Sequence, residues 1–194
     1  MTDETTCRIS KIWHSAKLQF LPITTPVNHS GFMTRFKQLT VAFLAGLCVL
    51  ATDQVVKLVV VEFVMQPPRE IPVLPFLNLI LAFNRGVSFG MFADQLADIP
   101  GILGGVKILI VLGLLIWAFL SKTAAEAVSL GLIAGGAAGN IVDRLRDGAV
   151  TDFIDMYAGS WHWPAFNFAD VAIFCGAVLL VLSTRSSKTA TPSR

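Results

Sequence analysis

Residues 101–120 read GILGGVKILIVLGLLIWAFL, a nearly unbroken apolar run. A helix of about 20 residues at a rise of about 1.5 Å each crosses a hydrocarbon layer of about 30 Å, so the stretch has the length of a membrane span. Working outward, similar runs occupy residues 39–63, 125–142 and 168–182. Composition agrees: 54% of the residues are hydrophobic and 14% charged, against about 25% charged in an ordinary soluble domain, and the mean hydropathy is +0.68. The expected fold is an all-α membrane protein of four transmembrane helices.

Between the first two spans the chain changes character. Residues 65–99 hold Pro67, Pro68, Pro72 and Pro75, the β-prone run from Phe76 to Phe83, and the turn-like Asn84-Arg85-Gly86. Pro and Gly punctuate this stretch too often for a helix, which predicts a small extramembrane β-rich cradle. Residues 1–37 read as a flexible N-terminal tail without a signal-peptide core, and residues 186–194 as a polar C-terminal tail.

Basic residues set the orientation. Arg35 and Lys37 precede the first span, Lys122 separates the second and third, and Arg185 and Lys188 follow the fourth. Lys and Arg accumulate on the cytoplasmic side, so both termini are expected there. The cradle and the stretch from Asp143 to Asn167 then share the external face. Arg144 and Arg146 break the rule, which suggests that at least one has a specific task. A net charge of +2 is too small to argue for nucleic acid. Cys7, Cys48 and Cys175, like His14, His29 and His162, lack metal-ligand spacing, so neither metal nor cofactor is expected.

Carboxylates at membrane depth are costly unless paired, hydrated or used. Asp53 and Lys57 lie four apart with the acid N-terminal, the favourable order for a helical pair, and serve either as a neutralised couple or in ordering a site. Gly131, Gly135 and Gly139 form a small-residue stripe suited to close helix packing. It leads into Asn140, Asp143 and Arg144, an amide, a carboxylate and a guanidinium on one helix face just before Asp152. Asn167 and Asp170 repeat the spacing at the mouth of the last span, where Asn167 also suits a helix cap. Asp152 and Asp170 together would form two carboxyls sharing a proton, one as general base and the other as general acid. A small transporter or lipid-binding membrane module, whose carboxylates carry protons or bind a cation, would instead require internal repeats with broken helices, and no convincing repeat is found. A purely structural scaffold leaves the two aspartates unexplained.

Five blocks, Thr52-Asp53-Gln54-Val55-Val56-Lys57, Asn84 to Gly90, Gly135 to Arg144, Val150-Thr151-Asp152-Phe153 and Phe166-Asn167-Phe168-Ala169-Asp170, resemble in order and spacing the signature of bacterial lipoprotein signal peptidase (signal peptidase II). The resemblance covers about residues 38–185, which would then be the membrane peptidase domain. It implies an aspartic endopeptidase of the bacterial cytoplasmic membrane, active toward the periplasm on diacylglyceryl-modified prolipoproteins. Asp152 and Asp170 match the family's catalytic dyad. Asn140, Asp143, Arg144 and Asn167 match residues that orient the dyad or hold substrate, and Asp53, Lys57, Asn84, Gly86 and Gly136 match further signature positions. Membrane lipids and substrate are the expected partners, and a monomer suffices for the chemistry.

Overall fold

The computed structural model describes residues 29–85 and 100–189. Four helices are present among them: α1 (His29–Val59), α2 (Pro100–Leu120), α3 (Ala124–Asp147) and α4 (Phe168–Thr189). A π-helical turn, Val60–Val64, continues α1. Phe32–Val64, Ala124–Asp147 and Phe168–Arg185 are long and apolar enough to cross a membrane, and α2 contributes the shorter apolar stretch Ile108–Leu120. The chain is thus a membrane protein.

The helix bounds differ from the hydropathy-based ones in a consistent way. Residues 29–37, expected in the N-terminal tail, are helical; the last proline before the first span is Pro26, so nothing beyond it breaks the helix. The third span, expected to end at Val142, continues to Asp147 and stops at Gly148, whose φ is +71° and whose N–H donates to Arg144 O. Such a left-handed glycine ends helices wherever the chain requires it, independently of polarity. At the other end of α3 the Thr123 side chain caps the helix by accepting the Glu126 N–H at 3.2 Å.

Large apolar side chains such as Phe43, Leu47, Phe63, Leu109 and Phe174 point outward, whereas the buried positions include Ala42, Ala118, Ala127, Ala134, Ala169 and Ala172. Lipid tails are as apolar as a protein core, so these helices associate through close backbone approach rather than by hiding large residues. The glycine stripe does this against α1: a Cβ on Gly131 would run into Ala42 O, and one on Gly135 into Gly46 O. Gly136 faces the other way, where a Cβ would meet Ala169 O at 2.5 Å and Ile173 Cγ1 at 2.8 Å. Gly136→Ala is therefore expected to force α3 from α4 and to cost about 1–3 kcal/mol. Gly113→Ala, with nothing within 4 Å of the added Cβ, should stay within about 0.5 kcal/mol. Thermal unfolding in detergent separates the two.

A four-stranded antiparallel sheet caps one end of the bundle, ordered β1 (Ile71–Leu74), β2 (Leu77–Asn84), β3 (Val150–Ala158) and β4 (Trp161–His162). The expected cradle supplies only β1 and β2. The other half comes from the stretch after α3, which had no strand assigned to it. Ala82 pairs with Asp152 and Asn84 with Val150, so β2 places Asn84 beside the start of β3. Val60, Met65 and Phe153 form a buried apolar cluster, with Val56, Leu79 and Phe168 against it, that seats the sheet on the ends of α1 and α4.

Candidate active site

Asp152 and Asp170 reach one site because the chain between them folds back on β3. The N–H groups of Phe153 and Ile154 both donate to Phe166 O, at 3.1 and 2.9 Å, and the Phe166 N–H returns a bond to Ile154 O at 3.1 Å. The next residue, Asn167, opens α4. Its Oδ1 accepts the Asp170 N–H at 3.1 Å, while Asp170 Oδ2 accepts the Asn167 N–H at 3.2 Å. This reciprocal capping box satisfies donors that the first helical turn leaves unpaired.

With its oxygen committed to that cap, Asn167 turns its amide nitrogen outward, donating to Asp152 Oδ1 at 2.7 Å and to Asn140 Oδ1 at 3.2 Å. Asn140 in turn donates from Nδ2 to Asp170 Oδ1 at 2.9 Å. The side-chain amides are therefore crossed: α3 holds the aspartate of α4, and α4 holds the aspartate of β3. Sequence order placed Asp170 with its own Asn167, which the capping box bears out, but it placed Asp152 next to the Asn140 group, whereas the Asn140 amide goes to Asp170.

Beneath this layer lies a buried ion cluster. Lys57 Nζ sits 2.8 Å from Asp53 Oδ2 and 2.8 Å from Asp143 Oδ2, and also donates to Asn140 Oδ1 at 3.3 Å. Each acid uses a backbone bond to hold the residue just before an aspartate of the pair. Asp53 Oδ1 accepts the Ala169 N–H at 3.0 Å, and Asp143 Oδ2 accepts the Thr151 N–H at 3.2 Å. The helical Asp53–Lys57 pair is thus present, and it orders the site through contacts that no local spacing reveals. Gln54, which sequence reading placed in the first signature block without assigning it a role, donates to Asp143 Oδ1 at 2.8 Å. Its position at membrane depth beside Asp53 was the available signal.

The pair faces a groove of about 920 Å³. Asn84, Asn140, Arg144, Asp152 and Asp170 supply its polar groups, and apolar side chains such as Ile173 and Phe174 supply most of the rest. A few convergent polar groups in an apolar cleft are what a binding site for an amphiphile requires. Arg144 donates to Asn140 O at 3.2 Å and lies within electrostatic reach of both aspartates. Burial is the main cause that pushes the Asp152 carboxyl up to about 6; the charge of Asp170 adds to it, while hydrogen bonds from Asn167 and Asn84 and the charge of Lys57 act in the opposite direction. Four carboxylates here face two cations, Lys57 and Arg144, which favours keeping one proton on the aspartate pair.

Of the other sequence-selected positions, Gly136 serves α3–α4 packing rather than the groove wall. Gly86 lies outside the described residues. Among the described residues no three His, Cys, Asp or Glu side chains gather as a metal-ligand set.

Membrane-length helices and a carboxyl pair at the mouth of an apolar groove define an integral membrane enzyme of the aspartic type. A family model described as "Signal peptidase (SPase) II" matches residues 45–185. The chain is 39% identical over 164 residues to the lipoprotein signal peptidase of Methylorubrum extorquens (strain PA1), covering 83% of this chain and 93% of that one. It is 39% identical over 158 residues to the lipoprotein signal peptidase of Vibrio vulnificus (strain CMCP6), covering 79% and 94%. A solved structure described as "Bacterial membrane enzyme structure by the in meso method at 2.3 A resolution" superposes with a TM-score of 0.67 at 25% identity, over 79% of this chain and 92% of the other. The chain belongs to the signal peptidase II family, and is thus a membrane aspartic peptidase.

Proposed function

We propose that this chain removes the signal peptide from diacylglyceryl-modified prolipoproteins by cutting immediately before the lipidated cysteine, with Asp152 and Asp170 as the catalytic dyad. The observation that carries this is Asn167, which bonds Asp152 through its amide at 2.7 Å and Asp170 through its backbone N–H at 3.2 Å. One residue thereby fixes both carboxyls relative to each other at the groove. The ionised aspartate takes a proton from water, which attacks the scissile carbonyl, while its protonated partner donates to that oxygen and then to the leaving amine. The coupled pair titrates as a unit, so the roles belong to the pair. Asn140 and Asn167 orient it, Asn84 supports Asp152, Arg144 handles substrate, and Lys57 with Asp53 and Asp143 holds the frame.

A substrate with two acyl chains leaves the bilayer only at a cost of about 0.8 kcal/mol per methylene, so a groove at the membrane edge suits it. We take α2 as a fourth span and the enzyme as a monomer of the bacterial cytoplasmic membrane. Both termini then face the cytoplasm and the dyad faces the periplasm. Arg35, Lys122 and Arg185 support this, since by chain order they all sit at the helix ends away from the sheet. The test is a paired assay in detergent, using a prolipoprotein peptide with its cysteine diacylglycerylated and the same peptide unmodified. Cleavage before the modified cysteine, with the unmodified peptide left largely intact, is expected. Equal cleavage of both would overturn the lipid requirement.

A further inference from the structure

A second polar network, outside the dyad and its ion cluster, crosses the sheet. Asp155 is buried on β3 and lies opposite Asn78 of β2. Asn78 Nδ2 donates to Asp155 Oδ2 at 3.2 Å and to Glu70 Oε1 at 2.7 Å. On the other side His162 of β4 brings Nδ1 to 2.9 and 3.0 Å from the two Asp155 oxygens. The His162 ring also stacks on Tyr157, with centroids 5.3 Å apart and planes 19° from parallel. Glu70, Asn78, Asp155 and His162 thus form a row that ties β4 to the rest of the sheet.

β4 needs such a tie. It is two residues long, pairs with β3 through Tyr157 with His162 and Ala158 with Trp161 among the described residues, and is continued by a backbone bond from the Trp163 N–H to Met156 O at 2.8 Å. A short hairpin of this kind is marginal by itself. Yet Trp161 and Trp163, the neighbours of His162, both line the groove that holds Asp152 and Asp170. They pack edge to face at 5.8 Å and remain about half exposed, at 59% and 45%. Large apolar rings left open beside polar groups in a groove are placed to meet an amphiphilic ligand.

We propose that the Glu70–Asn78–Asp155–His162 row positions the Trp161–Trp163 edge as a fixed aromatic wall of the groove, against which the apolar flank of the substrate packs during capture. His162 and Asp155 are positioning residues here, acting through the two tryptophans. The proposal rests on the groove being the substrate site. It requires that loosening the row weakens capture and spares the chemical step, because none of its members bonds the dyad through any contact described above.

The experiment measures kcat and KM of the full-length chain in detergent on the diacylglyceryl peptide, for the wild type, His162→Ala, His162→Gln, Trp161→Ala and the His162→Ala/Trp161→Ala pair. Displacing a wall that positions substrate should raise KM about tenfold in His162→Ala and in Trp161→Ala, with kcat within about twofold of wild type. His162→Gln, which keeps a donor for Asp155, should recover most of the loss. The double variant should be no worse than either single one, since both remove the same wall. A fall in kcat at unchanged KM, a lowered Tm with normal kinetics, or additive losses would each overturn the proposal. If His162→Ala does not fold, a normal KM in Trp161→Ala overturns it equally. Asp152→Asn run alongside keeps the two readings apart: an active Asp152→Asn sinks the dyad, whereas an inactive one beside a normal KM in His162→Ala and Trp161→Ala sinks only the wall.

Discussion

Asp152→Asn and Asp170→Asn, purified separately, are each expected to lose about a thousandfold or more in kcat on the diacylglyceryl peptide, within the range assigned to a positioned acid or base. Asn cannot take up or release the proton at either position, yet its shape preserves the acceptor oxygen that Asn167 or Asn140 engages. Folding should therefore survive, and for Asp152 the sign can be worked out. Its carboxyl is raised from 3.8 to about 6 in the folded chain, chiefly by burial. The native state then holds the proton more tightly than the unfolded one between those two values, so the residue's contribution to stability falls as pH rises through that window and stays low above it. Asp152→Asn removes this loss and should melt at or above the wild-type temperature at pH 7. Near-normal turnover by either variant would refute the dyad, and a collapse in Tm at pH 7 would refute the stability argument.

The same shift bears on the activity profile. A dyad that works with one shared proton is active between its two apparent pKa values and loses activity as pH rises through the upper one. With Asp152 near 6, the alkaline limb of kcat/KM belongs near that value. Burial of Asp152 and the neighbouring charge of Asp170 both push that limb upward.

The spans were legible because a bilayer demands about 20 apolar residues per crossing, and the glycine stripe because close packing demands small side chains every fourth position. Helix ends were not, as α3 illustrates: the apolar run ends at Val142, but the helix continues until Gly148 adopts a φ of +71°. β3 was hidden for a different reason. Val150, Thr151, Asp152 and Phe153 are all buried in succession, so the polar–apolar alternation that marks a half-exposed strand is missing. The site residues stood out as charges at membrane depth, but their partners did not. Lys57 and Asp53 are close in sequence, whereas Lys57 and Asp143, or Asn140 and Asp170, meet only once α3 has packed between α1 and α4. The Asp155–His162 pair depends on two strands that local sequence did not disclose.

Lys57→Met should be the most destabilising single change in the chain. The side chains of Lys57 and of its two acids are nearly fully buried, and its ammonium lies 2.8 Å from each of Asp53 and Asp143. Removing one partner of a buried ion group leaves the other charges without compensation, which costs about 3–5 kcal/mol. Here two carboxylates are stranded together. The expected readout is a Tm lowered by on the order of 10 °C in detergent, with poor recovery of folded protein. If the cost is electrostatic, adding Asp53→Asn and Asp143→Asn to Lys57→Met should return much of the stability, since all three charges then disappear together. Activity should not return with it. Asp53 and Asp143 hold the Ala169 and Thr151 N–H groups at 3.0 and 3.2 Å, one residue before each aspartate of the proposed dyad, and Lys57 donates to the Asn140 oxygen beside them. An amide oxygen makes weaker bonds to these N–H groups than a carboxylate does, so the segments carrying Asp152 and Asp170 lose their fixed spacing even in a stable chain. A wild-type Tm for Lys57→Met would disprove the buried ion cluster, and a fully active triple variant would disprove its role in setting the dyad.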